Sequence, residues 1–219
     1  IPRTEQTPIT NITTQMQRLL ELKRQLMFVK RTIDTRDPTK YQKLTKDIKI
    51  FKNIKKHVKT IVKMPISQAF LKMWEILHVM RLIPTHEKGT FNTFSLCEAP
   101  GQFIVAINHF LKTRTKFKNY KWYANTLNPK TTKSAAAISD VYGLMQKHPK
   151  RWLFGKDGTG DIMNIENIED MKLRMGDVDL ITSDCGMPIC SSCDFNRQEQ
   201  IMAYLNFCQV RAILYILPL

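Results

Sequence analysis

The chain has 219 residues, 43% apolar and 24% charged, an ordinary globular mixture that excludes wholesale disorder and suffices for one well-cored domain with an appended segment. Thirty-four Lys and Arg against nineteen Asp and Glu give +15, most of it early, because residues 1–64 hold 16 basic and 5 acidic side chains and the remainder 18 and 14. No run of eighteen apolar residues and no signal-peptide pattern occurs, so a soluble, non-secreted, cytoplasmic protein is expected, with phosphate as the anionic partner of its basic first third; the bland competitor is a solvated lysine-rich helix face.

The spacing predicts a helix over 12–34, where Ile12, Met16, Leu19, Leu20, Leu22, Leu26 and Val29 recur at three- and four-residue steps. Pro38 interrupts it, and Asp37 before the proline is pushed toward extended geometry. A second helix over 39–62 carries Tyr41, Leu44, Ile48, Ile50, Phe51, Ile54, Val58 and Ile61 among lysines, which makes 1–64 a basic helical hairpin suited to RNA or a partner. After Pro65, "ISQAFLKMWEILHVMRL" restarts as an amphipathic helix with Ser67 as its N-cap.

From there strands and helices alternate. "FNTFSLCE" (91–98) reads as a buried strand, "GQFIVAINHFL" (101–111) as a helix, "YKWYANTL" (120–127) as a strand and "TTKSAAAISDVYGLMQ" (131–146) as a helix. "RWLFG" (151–155) follows as a short strand, "IENIEDMKLRM" (165–175) as a helical turn, "VDLITSD" (178–184) as a strand and "RQEQIMAYLNFCQVRAILYIL" (197–217) as a helix. Such alternation implies an α/β fold with parallel crossovers and a doubly wound sheet.

In such a sheet ligands sit beyond the carboxyl ends of the strands, at the switch in strand order. "CEAPGQF" (97–103) lies there: Gly101 permits close approach or positive φ, Pro100 stiffens the turn, and the next helix presents its first amides. Glu98 argues against phosphate and for an amine or ribose. Alone, the Pro-Gly pair is equally a simple turn. Two further strand ends match it. "DGTGDIMN" (157–164) brings Asp161, from which a carboxylate can accept from an adenine amino group, and "DLITSDCG" (179–186) brings Asp184; each is otherwise an Asx-Gly turn.

Five cysteines, an odd number, do not form a disulfide framework in a chain of this size, so a reducing compartment is expected. Cys190 and Cys193 form a C-x-x-C with Cys185 upstream, half of a zinc site; no second ligand pair lies at zinc spacing and no histidine follows His148, so no metal is assigned.

The ordered set resembles the FtsJ-like (RrmJ-like) family of S-adenosylmethionine-dependent ribose 2'-O-methyltransferases, in particular its cap-type and large-DNA-virus, asfivirus-like members. "SLCEAPGQF" (95–103) is similar to the family's D-x-C-x-A/G-P-G-G-F/W motif, Gly160-Asp161-Ile162 to its G-D-I/F element, "DLITSDCG" to its D-L-x-x-S/A-D element, and "SQAFLKMWEI" to its S-R-A-x-x-K-L stretch. The match spans about 66–219. The resemblance implies a Rossmann-like methyltransferase sheet over 65–219 and a Lys-Asp-Lys-Glu tetrad around the target hydroxyl, whose first two members are Lys72 and Asp184. It also implies that S-adenosylmethionine is held by Cys97, Glu98, Ala99, Pro100, Gly101, Gln102 and Phe103, with Asn125, Leu127, Asp161 and Ile162 beyond the later strands, and that capped mRNA is the partner. A ribose hydroxyl is a weak nucleophile, so a lysine held near neutral charge would accept its proton while the carboxylates orient it.

The departures are Ser95 at the position of the motif's acid, Gln102 at its second glycine, and "YANTLNP", which offers Asn125 or the backbone around Leu127 where many methyltransferases carry a ribose-binding acid. Strands five to seven, with the second lysine and the glutamate, have no counterpart, and the chain opens on Ile1, so it is expected to be a piece of a longer protein. The alternative function is a non-catalytic RNA-binding or scaffold protein on a degenerate methyltransferase fold. A dehydrogenase is disfavoured, since the corner lacks the G-x-G-x-x-G spacing.

Overall fold

The computed structural model describes residues 9–37, 39–40, 43, 49–62, 66–134, 136–187 and 198–217. The chain divides into two compact units, Ile1–Lys52 and Asn53–Leu219. In the first, α1 (Ile9–Asp34) runs without glycine or proline and is rich in Leu, Gln, Lys and Arg, so propensity favours it along its length. Its apolar side chains Leu19, Leu22, Leu26 and Val29 are all more than half exposed. Beyond it Asp37 Oδ1 accepts from Thr39 N at 2.8 Å, an Asx turn that opens the next segment. Tyr41, Leu44 and Ile48, which the hairpin reading needs, lie outside the described residues. The described part of that second arm is α2 (Lys49–Val62), and in the second unit its Val58 and Val62 lean on the core while Lys56 and Lys59 stay exposed and Lys55 is half-buried.

In the second unit α3 (Gln68–Met80) begins where Ser67 Oγ accepts from Ala69 N at 3.1 Å, as the sequence predicts, and ends on Arg81 in the left-handed region. β1 (Thr90–Leu96), α4 (Gln102–Arg114) and β2 (Asn119–Ala124) form the first crossover unit. The chain then passes through the one-turn α5 (Leu144–Lys147), α6 (Ile165–Met175), β3 (Leu180–Ser183) and α7 (Gln198–Ile216). All pairings are parallel and the order is β2-β1-β3, so strand order switches beside β1.

β1 is buried on both faces, as a central parallel strand requires. Phe91 faces α3 and α4, where Phe70, Met73 and Leu77 interlock with Phe103, Ala106, Ile107 and Phe110. Phe94 and Leu96, on the opposite face, pack against Ile168 and Met171 of α6 and Leu205, Ala212 and Ile216 of α7. Two polar links cross the strands inside the core: Thr93 Oγ1 to the Tyr120 hydroxyl at 2.9 Å, and Thr182 Oγ1 donating to Ser95 Oγ at 2.8 Å.

Two expected elements are absent. Residues 131–146 do not form a helix; Ser134 Oγ accepts from Ala136 N and Asp140 Oδ2 from Gln146 N, so polar side chains capture amides that a helix would need. Only Leu144–Lys147 turns helically, after Gly143 at φ 68°. The strand expected at 151–155 reduces to one parallel bridge, Ala124 to Trp152, because Pro149–Arg151 winds as a 3-10 turn up to it. The sheet therefore has three strands among the described residues. The loop that follows is nonetheless firmly placed. Gly160 has φ 74°, and a Cβ there would lie 1.8 Å from the carbonyl oxygen of Thr126, so the strand-end loops at 126–127 and 160 meet backbone to backbone as only glycine allows.

Candidate active site

The switch beside β1 places three loops at one end of the sheet: 97–102 after β1, 125–128 after β2, and 184–187 after β3, with 155–162 packed beside the second. The first is the corner that the sequence singles out. Its turn closes by Gly101 N donating to Glu98 O at 2.7 Å, around an Ala99-Pro100 cis peptide. Gly101 has φ 102° and a Cβ there would strike Leu144, so glycine is required twice over.

Glu98 is buried, and its Oε1 accepts from Phe103 N at 2.8 Å and Ile104 N at 3.3 Å. The carboxyl thus caps α4 from within, in the place of the side-chain cap that Gly101 lacks. Burial pushes its pKa up from the ordinary 4.5 to about 8, against the two backbone bonds that lower it, with the nearby Asp184 charge adding to the rise. The first amides of α4 are therefore committed to the protein, and the corner does not offer the phosphate nest of a dinucleotide site.

Gln102, where the resembled family has a second glycine, is buried; its Oε1 accepts from Ser67 N at 2.7 Å, fastening the start of α3 to the start of α4. Lys72, one turn into α3, thereby comes to the rim of β3. Its Nζ lies 2.6 Å from Asp184 Oδ1 and 5.7 Å from the centre of the Phe103 ring. The side chains of Lys72 and Asp184 are 51% and 44% exposed, so the pair adds on the order of 0–1 kcal/mol to stability and its meaning is positional.

Other sequence-singled residues divide by what their side chains do. Phe103 and Ile162 are core, and Ala99 is buried beside Trp122 and Ala124. Asn125 is fully buried; its Nδ2 donates to Leu153 O and Gly160 O at 3.1 Å each, while its Oδ1 is a buried acceptor without a partner. Asp161 Oδ1 caps the following turn by accepting from Met163 N at 2.9 Å. Leu127 is half-buried with its backbone against Gly160. Pro100 edges a cavity of about 630 Å³ that opens toward Trp122, Tyr142 and His148.

Ser95, in place of the family's acid, is buried and accepts from Thr182, so it serves strand packing. Cys97, at φ 55°, is joined by a disulfide to Cys185, 88 residues on. The cysteine count does not predict this, because the pairing depends on parallel strands that bring distant residues side by side. It also removes Cys185 from the half zinc site. Cys190 and Cys193 lie outside the described residues, and no metal-ligand cluster occurs among the described ones. The anchoring role of Gln102 was likewise unreadable, since it needs a donor 35 residues upstream.

A site of this composition fits S-adenosylmethionine. It has no free helix-terminal phosphate nest, it sets Asp161 and Asp184 at the rims of strand ends where a cationic ligand would lie, and it retains an unused buried acceptor on Asn125.

Residues 65–217 match the FtsJ-like methyltransferase family. The chain is 34% identical over 208 residues to the zebrafish (Danio rerio) protein named "Cap-specific mRNA (nucleoside-2'-O-)-methyltransferase 2", covering 91% of this chain and 28% of that one. It is 33% identical over 220 residues to "Uncharacterized protein L511" of Acanthamoeba polyphaga mimivirus, covering 90% and 27%. It is 32% identical over 175 residues to "Probable methyltransferase EP424R" of African swine fever virus, covering 74% and 39%. The chain thus spans between a quarter and two-fifths of the length of these relatives. No solved structure matches it.

The buried carboxyl of Glu98 generates a pH prediction. With a folded pKa of about 8 above the ordinary 4.5, the folded state holds a proton that the unfolded chain has released, so its contribution is full below pH 4.5 and is lost as pH rises toward 8. The thermal midpoint is expected to fall between pH 5 and pH 8. Glu98→Gln, which keeps an acceptor for Phe103 N and Ile104 N, should flatten that slope and melt several degrees higher than the parent at pH 8. Parallel melting curves of parent and variant across this range would refute the assignment.

Proposed function

The chain belongs to the FtsJ-like methyltransferase family, and from that premise we propose that the protein transfers a methyl group from S-adenosylmethionine to a ribose 2'-hydroxyl of RNA, at the mRNA cap. The observation that carries this reading is the Lys72–Asp184 pair, 2.6 Å apart at the open end of the sheet beside the β1–α4 corner. The name of the zebrafish relative, which specifies cap mRNA and a nucleoside 2'-oxygen, supports the substrate class.

When bound, S-adenosylmethionine supplies a methyl group already activated by its sulfonium. The chain's own residues then have two tasks. The backbone of 97–103 would hold the methionine end of the cofactor, and Leu127, Asp161, Ile162 and the Asn125 acceptor its adenosine end. Lys72 Nζ would meet the target hydroxyl and, from its uncharged form, take up the hydroxyl's proton as the oxygen gains the methyl group, and Asp184 would fix where Nζ stands. Positioning supplies most of the remaining acceleration, and that is what the Gln102–Ser67 and Glu98–α4 anchors provide.

RNA is the polyanionic partner that the charge distribution suits. The exposed Lys56 and Lys59 with the half-buried Lys55 of α2, and the exposed Arg18, Lys23, Arg24 and Arg31 with the half-buried Lys30 of α1, are the phosphate contacts of this reading. Among the described residues no helix is long and apolar enough to cross a membrane; we place the protein's work in the cytoplasm, or in the host cytoplasm or virion where the protein is viral. The second reading, a non-catalytic RNA-binding scaffold, is favoured by one observation, that Ser95 and Gln102 are spent on structural hydrogen bonds where the family's motif has an acid and a glycine.

Lys72→Ala is expected to lower methyl transfer to capped RNA by at least about 10²-fold while the calorimetric affinity for S-adenosylmethionine stays within a few-fold. Full transfer by the variant would remove Lys72 from its role, and absence of cofactor binding by the parent would favour the scaffold. Replacing Lys55, Lys56 and Lys59 together by Gln should weaken RNA binding and make the dependence of log K on log salt shallower by about 2 to 3; an unchanged slope would take phosphate contacts away from α2.

A further inference from the structure

The Cys97–Cys185 disulfide lies at the mouth of the candidate site, and nothing in the methyl-transfer reading uses it. The last ladder pair of β1 and β3 is Leu96 with Ser183. Cys97 is the first residue past that pair on one strand, and Cys185 the second past it on the other, with their Cα atoms 4.9 Å apart. The residue between Ser183 and Cys185 is Asp184, the partner of Lys72. Where the sheet's hydrogen bonds stop, a covalent bond thus joins the cofactor corner to the loop that carries the acid.

Both cysteines are only half-buried, whereas the free Cys208 is fully buried in the core. Small thiols and disulfides can reach the first two and not the third. The ion pair is half exposed and therefore weak by itself, so the place of Asp184 depends on how its loop is tethered. Ser183 contributes one tether by donating to Gln209 Oε1 at 2.7 Å. The disulfide is the other.

We propose that Cys97 and Cys185 form a reversible thiol–disulfide site whose closed state holds Asp184 against Lys72. Closure is an exchange with a low-molecular-weight disulfide: one cysteine thiolate attacks it and releases one thiol, and the second cysteine then attacks the mixed disulfide and releases the other. Two protein thiols are oxidised, one small disulfide is reduced to two thiols, and the protons balance; excess small thiol reverses the step. Asp184 and, through it, Lys72 are the residues acted upon, and the importance of their placement rests on the methyl-transfer reading above. The cysteines themselves are positioning residues.

The test needs neither cofactor nor RNA, so its failure is separable from failure of that reading. The chain is equilibrated with oxidised glutathione or with dithiothreitol, cysteines are alkylated, and the linkage is mapped by peptide mass spectrometry. Lysine reactivity is then measured with an acetylating reagent, with exposed Lys56 as internal reference. The oxidised chain should yield a Cys97–Cys185 linked peptide, and its Lys72 should be acetylated several-fold more slowly than in the reduced chain, with Lys56 unchanged. Asp184→Asn should erase the difference, and Cys185→Ser should show the fast rate under both conditions; if that variant does not fold, reduction of the parent makes the same comparison. Equal Lys72 rates in the two states, or linkage of Cys185 to Cys190 or Cys193 in place of Cys97, would overturn the proposal.

Discussion

The buried carboxyl of Glu98 is the interaction on which the site's geometry depends, because it closes the first turn of α4 and thereby sets how the chain leaves β1. Its own backbone amide donates to Asn125 O at 2.8 Å, and Asn125 N donates to Ser95 O at the same distance, so the corner is sewn to the end of β2. Asn125 in turn reaches Leu153 O and Gly160 O, which brings the loop before Asp161 into the same assembly. Gln102, one residue past the corner, carries the connection to α3 through Ser67 N. Removing the carboxyl would leave the α4 amides uncapped in an apolar surround and loosen all of these contacts together.

Charge is partitioned to match. A chain of net +15 keeps most of its excess of lysine and arginine in the first third, while Asp161 and Asp184 stand at the strand-end loops. In the proposed reading the basic helices suit the polyanionic RNA and the acidic loop rims suit the cationic cofactor, so the two ligands would call on opposite surfaces in different parts of one chain. Lys72 stands beside Asp184 there, and in the proposed reading the target hydroxyl meets it.

Local patterns were legible wherever one local rule decided the outcome. The run 91–98 read as a buried strand and β1 forms over Thr90–Leu96, with Cys97 and Glu98 already in the corner; Ser67 capped α3 as expected, and the Pro-Gly corner fell just past β1, where a parallel sheet puts its loops. The helix expected over 131–146 failed because alanine-rich propensity lost to Ser134 and Asp140, whose side chains bind nearby amides. The strand at 151–155 dwindled to a bridge because Pro149 favours a tight turn just before it. Long-range facts were out of reach: nothing local pairs Cys97 with Cys185, or tells that Gln102 replaces a glycine in order to hold Ser67. The Lys72–Asp184 contact lies between these cases, since ordered motifs implied a shared role and only the fold brings residues 112 apart to 2.6 Å.

The central claim is that the three strand ends form one cofactor site with Lys72 at its methyl end. The most direct measurement is a crystal structure of the protein with S-adenosylhomocysteine bound. The account predicts the homocysteine moiety against the backbone of 97–103, the adenosine near Leu127 and Asp161, and the sulfur facing the Lys72–Asp184 pair. A ligand seated in the cavity beside Trp122 and His148, or bound with its sulfur turned away from Lys72, would contradict it.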